Sequence, residues 1–181
     1  MPYEPPPELA ALTLEEIAEL MAARKLPPVD RWAPKTTGDS HMFIASDGRW
    51  FHEGGEITRP AMVRAFSALL ACDADGQHWL ITPQEKLAIA VEDAAFIAVD
   101  VIAQGGMLAF RLNSDDTVIA GPEHRLIARG DPEVPSLYLA VRHGTEARLN
   151  RSTYGQVVEI GLAGGDLSVS SQGVIFPLVP G

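Results

Sequence analysis

The sequence predicts an α+β fold: two helices in the N-terminal half packed with a largely antiparallel β-sheet, with structural motifs repeated along the chain. Three observations carry this. Two segments before residue 76 show helical periodicity with start and stop signals, the chain beyond them alternates apolar and polar residues with a period of two, and Gly- or Asp-containing turns punctuate that alternation. At 181 residues and 46% hydrophobic content, the chain is long enough to bury a core without covalent staples.

The organisation follows in chain order. Residues 1–12, Pro-rich, read as a flexible arm. Residues 13–85 read as a helix–hairpin–helix α+β portion and 86–181 as a mainly antiparallel β portion, with no linker between the two. In "TLEEIAELMAARK", Thr13 and Glu16 stand in capping-box relation, and Leu14, Ile17, Ala18 and Met21 share a face. Arg24 and Lys25 suit the C-terminal dipole, and Pro27-Pro28 end the helix. "SDGRWFHEGGEITRP" supplies an Asp-Gly turn between two short strands and then a helix start. The second helix is expected over "TRPAMVRAFSALLACDADG", with Pro60 in its first turn and Val63, Phe66 and Leu70 as its buried stripe. From "QHWLITP" onward the expectation is strand after strand, the segment "EARLNRSTYGQVVEIG" included. A repeat is suggested where "SDGRWFHEGGEITRP" and "ADGQHWLITPQEKLAI" both place an aromatic strand after an Asp-Gly turn.

Composition narrows the function classes. A net charge of -10 disfavours nucleic acid or an anionic membrane as partner. No signal peptide or apolar run of membrane-spanning length is visible, and the single Cys72 allows no intrachain disulfide, so a cytoplasmic setting is expected. The glycine pairs lack phosphate-loop spacing, no GxSxG or HExxH occurs, and the five histidines are scattered without metal-ligand spacing. The sequence therefore names no cofactor, metal site or catalytic residue.

What remains is a basic cluster in an acidic chain. "YLAVRHGTEARLNRSTY" carries Arg142, Arg148, Arg151 and Tyr154 on an expected hairpin, where guanidiniums could form a cup for a carboxylate or phosphate. The plainer alternative pairs these arginines with nearby acids such as Glu146. Arg59 and His52 of the first hairpin and Arg111, on the face of "GMLAFRLN" opposite Leu108, Phe110 and Leu112 that meets either water or the second wall of a cleft, complete the candidate ligand set: His52, Arg59, Arg111, Arg142, Arg151 and Tyr154. The leading expectation is a small-ligand-binding or sensory module for an anionic metabolite. A protein-interaction or self-association module is second, and an enzyme of unrecognised type third.

The segments "DGRWFHEGGEITRPAMVRAFSALL", "DGQHWLITPQEKLAIAVEDAAF" and "VRHGTEARLNRSTY" together resemble the bacterial DUF1285 family over about residues 40–160. The match runs through Gly48, Trp50, Ile57, Arg59, Val63, Phe66, Thr82, Pro83, Glu85 and Lys86. Ala95 departs from it, standing where proline is expected. The resemblance implies a mixed α and β protein with repeated motifs and a suggested role in ligand binding or signal transduction, and it brings no catalytic residues.

Overall fold

The computed structural model describes Thr13, Glu16 and residues 26–180. The Glu16 amide donates to Thr13 Oγ1 at 3.2 Å and the Thr13 amide to Glu16 Oε1 at 3.3 Å, the reciprocal bonds of a capping box. The rest of the expected first helix and the arm over 1–12 lie outside the described residues.

After a 3-10 turn at Val29–Arg31, β1 (Thr36–Ile44), β2 (Trp50–His52) and β3 (Gly55–Ile57) form an antiparallel meander. Helix α1 (Pro60–Ser67) leads to a second meander of β4 (Leu70–Cys72), β5 (His78–Ile81) and β6 (Glu85–Val91). A parallel neighbour requires a crossover, and here β6 returns parallel beside β1, giving the order β3-β2-β1-β6-β5-β4. The same plan recurs. β7 (Phe96–Gln104), β8 (Met107–Leu112) and β9 (Thr117–Ile119) form a third meander, and β10 (Leu126–Asp131), β11 (Val134–Ala140) and β12 (Glu146–Leu149) a fourth. β12 lies parallel to β7, so the second sheet runs β10-β11-β12-β7-β8-β9, the order of the first read from its other edge. Helix α2 (Arg151–Ala163) follows and packs on β7, β12 and the hairpin of β13 (Ser168–Ser171) and β14 (Val174–Pro177).

One apolar cluster runs through both sheets, joining Trp50, Leu70, Leu80 and Ile89 of the first to Phe96, Phe110, Leu112 and Leu137 of the second. Helix α1 contributes Val63 and Phe66, the latter stacked on Trp50 with ring centroids 6.4 Å apart. Helix α2 buries Thr153, Val157 and Gly161, one residue per turn. The β1–β2 turn seats on the second sheet through Gly48. Its φ of +90° suits glycine, and a Cβ there would stand 2.7 Å from Ile97 Cγ1 and 2.9 Å from Asn113 Nδ2. At the other contact, the Cys72 amide donates to the His143 carbonyl at 2.8 Å, which ties the edge of β4 to the β11–β12 turn.

These observations correct the expected α+β class. The fold is sheet-dominated, with two six-stranded mixed sheets and, among the described residues, modest helix content. Of the expected pair of N-terminal-half helices, the second is α1, and the first lies outside the described residues; α2 was not expected, and it lies near the C-terminus in a segment read as strand. Its valines and glycine imitate strand alternation, yet Asn150 caps it by accepting from the Thr153 amide at 2.8 Å, and its buried residues repeat every four positions. The expected second helix also stops early. Leu70–Cys72 pair with Leu80–His78, because Asp73 bonds the amides of Asp75 and Gln77 and closes a tight β4–β5 turn.

Candidate functional site

A cleft of about 580 Å³ opens where the two sheets meet α2. Ser46 and Asp47, from the β1–β2 turn, form one wall. β11 supplies Val134 to Leu137, the end of β12 supplies Arg148 and Leu149, and the first turn of α2 supplies Arg151 and Tyr154. The Asn150 cap sets the direction in which α2 leaves β12, and so holds Arg151 and Tyr154 at the cleft.

Its charges are arranged in fixed pairs with one exception. Arg148 Nη1 donates to Asp93 Oδ2 at 2.7 Å and Nη2 to Ser136 Oγ at 3.1 Å, while Tyr138 Oη donates to Asp93 Oδ1 at 2.8 Å. Burial, with the bond and negative charge of Asp93, pushes the Tyr138 phenol up. Asp47 accepts from the Arg49 amide at 3.1 Å and from Arg49 Nε at 2.7 Å, and those bonds hold its carboxyl below the ordinary range. Arg151 is exposed and makes no ion pair among the described residues.

Of the six residues singled out from sequence, the structure brings Arg151 and Tyr154 together in this cleft. The other four lie elsewhere. His52 is exposed at the end of β2, paired with Met42 of β1 on one side and Gly55 of β3 on the other. Arg59 is exposed at the N-cap of α1, where its carbonyl accepts from the amides of Met62 and Val63, both at 3.1 Å. Arg111 does not face water: it is buried in β8, opposite Asp100 of β7 and Thr117 of β9. Arg142 sits past the end of β11, in a turn, with Nη2 3.2 Å from Asp116 Oδ2 and 3.4 Å from the Ser67 carbonyl. Its guanidinium carbon lies 5.2 Å from the centre of the Phe96 ring. It braces the junction between the sheets.

Sequence reasoning passed over Asp93 and Asp47. Asp47 carries an obvious turn signal that hides its second role, and Asp93 sits in the connector between the sheets with no local pattern to mark it. Arg148 was visible in the basic cluster, but its partner lies far off in sequence.

The Cys72 thiol is pushed up by burial and by the neighbouring charges of Asp73 and Glu146, the opposite of an activated nucleophile. Among the described residues no three His, Cys, Asp or Glu side chains gather as a metal site. No described helix is long and apolar enough to cross a membrane. A second hollow of about 490 Å³, between the β7–β8 turn and the end of α2, has no arginine in its lining.

Comparison with known proteins accounts for both halves of this arrangement. No curated protein matches the chain. A DUF1285 family protein from Silicibacter pomeroyi has 36% identity and a TM-score of 0.77, over 90% of this chain and 92% of that one. A DUF1285 family protein from Shewanella baltica, at 24% identity and a TM-score of 0.54, shares the fold over 65% of this chain and 90% of its own. Residues 27–94 match the N-terminal domain of unknown function (DUF1285) and residues 95–178 the C-terminal domain of the same name. The two domain models meet in the connector beside Asp93, one for each six-stranded sheet, and on that match the chain belongs to the DUF1285 family.

Proposed function

We propose that the protein is a small-ligand-binding module, with an anionic metabolite seated in the cleft at Arg151 and Arg148 and flanked by Tyr154. The observation that carries this reading is the placement of two guanidiniums in one hollow of a strongly acidic chain. Guanidinium binds carboxylate and phosphate through paired hydrogen bonds, and a partly enclosed site strengthens them. Both sheets wall the cleft, so a bound ligand bears on how they sit against each other. That is the physical basis for a sensory role in signal transduction.

The test is thermal unfolding of the purified chain against a panel of organic acids, nucleotides and sugar phosphates. At about a hundredfold above its dissociation constant, a ligand adds about 2.7 kcal/mol of stability. For this size that raises Tm by about 5–11 °C. The rise is expected to saturate and to vanish in Arg151→Met, whose own Tm stays unchanged because Arg151 is exposed. A panel without any shift, or a shift indifferent to Arg151→Met, overturns the proposal.

A second reading, docking of a protein partner or a second copy, draws on exposed apolar side chains at the other end of α2: Ile175 is 71% exposed and Leu162 58%. Mass by light scattering that rises with concentration and falls back in Ile175→Ser would favour it.

A further inference from the structure

The charge balance and the walls of the cleft narrow the ligand to a chemical class, an inference that rests on the reading that this cleft binds an anion. The lining carries two guanidiniums, Arg148 and Arg151, and one carboxylate, Asp47. Counting the direct partners of these groups leaves the balance unchanged, since Asp93 is bound to Arg148, and Asp47 to Arg49, which it shares with Glu56. One positive charge, that of Arg151, is left over. Beside the same wall, the exposed Glu92 accepts from the Ser46 amide at 3.0 Å and adds negative charge just outside the lining. A phosphomonoester near neutral pH brings about two negative charges to this single surplus and meets Glu92 and Asp93 as like charges. A carboxylate brings one, and its planar pair of oxygens matches the fork of one guanidinium.

Beside the polar Ser46, Ser136 and Asn150, the rest of the lining is apolar or aromatic. Leu137 and Leu149 form a buried floor, Val134 stands 77% exposed at the rim beside Pro135, and the Tyr154 ring is half-buried. A small polar anion would leave Val134 and the open part of the Tyr154 ring wet. A ligand with a hydrocarbon or aromatic body covers them, and about 580 Å³ falls within the roughly 300–1,000 Å³ usual for small-molecule sites. We infer that the cleft takes a monocarboxylate with an apolar or aromatic body. Arg151 holds the carboxylate, and Val134 and Tyr154 cover the body.

Titration calorimetry of the full chain at pH 8 with phenylacetate, octanoate, acetate, phenylacetamide and phenyl phosphate tests this. Phenylacetate or octanoate is expected to bind at least about tenfold more tightly than acetate, the neutral amide or the phosphate ester. Arg151→Met is expected to weaken that binding by about tenfold or more. Val134→Asp, which places a charge at the exposed rim, is expected to weaken it as well while leaving Tm unchanged. Tighter, Arg151-dependent binding of phenyl phosphate overturns the monocarboxylate class but leaves an anion-binding cleft standing. Acetate binding as tightly as phenylacetate overturns the apolar body alone. Absence of Arg151-dependent binding by any of the anions overturns this inference and the underlying cleft reading together.

Discussion

Asp116 Oδ2 accepts from Arg142 at 3.2 Å and from Ser114 Oγ at 2.6 Å, and its side chain is 4% exposed against 13% for Arg142. An ion pair so far from water contributes little net stability while intact, but removing the carboxylate takes the counter-charge from a largely buried guanidinium. Asp116→Ala is therefore expected to cost about 3–5 kcal/mol, read from the urea midpoint at pH 7. The exposed pair of Arg49 and Asp47 is worth far less, and Arg49→Ala should leave that midpoint nearly unchanged. Asp115 shows the opposite imbalance. Burial, then the charge of Asp116, raises its pKa above the ordinary 3.8 although Arg64 Nη1 stands 3.8 Å from its Oδ2, so between the unfolded and raised values the folded state holds a proton that the unfolded chain has released. Stability linked to this group is present below its unfolded pKa and is lost as pH rises through the raised folded value. Asp115→Asn keeps the backbone at φ +70°, which asparagine tolerates, and is expected to remove that part of the pH dependence in a series of urea titrations from pH 3 to 7.

At the scale of elements, two short features hold the arrangement. Asn150 caps α2, and Asn150→Ala is expected to cost about 1 kcal/mol in chemical unfolding, with Asn150→Asp retaining most of it. Gly144 stands at φ +79° with the Cys72 carbonyl where a Cβ would go. Gly144→Ala is thus expected to destabilise by more than the roughly 1 kcal/mol that a left-handed backbone alone costs, because β4 must also withdraw. How far such elements were legible depended on the range of the signal. The Asp47-Gly48 turn, the β5 strand and the alternation of Leu87, Ile89 and Val91 are dictated by neighbours in sequence, and each is found in place. The parallel pairings of β1 with β6 and β12 with β7 join distant strands, and no local pattern announces them. The candidate site divides in the same way. Arg151 and Tyr154, singled out on an expected hairpin, lie instead one helical turn apart on α2 and line the same cleft, whereas Arg142 was placed in an open cup because Asp116 is 26 residues away.

The molecule as a whole has one core cluster running through both sheets, although the family divides it into two domains. A shared core couples the halves, so calorimetry is expected to show one unfolding transition with matching calorimetric and van't Hoff enthalpies. Two separated transitions would mean that the halves melt independently. The recurring strand order carries a further consequence for how the chain reaches this state. In each half the centre of the sheet is a pairing between the first and last strands of that half, Ile44 with Val91 and Ala98 with Leu149. During synthesis β1 therefore emerges long before its central partner and must wait, its edge open, until β6 has left the ribosome; β7 then repeats the wait for β12. Such long-range closure sets a slow pace, in the millisecond-to-second regime of roughly similar β-rich domains. A nascent chain stalled between β1 and β6 would expose the very strand edge that the finished sheet hides at its middle.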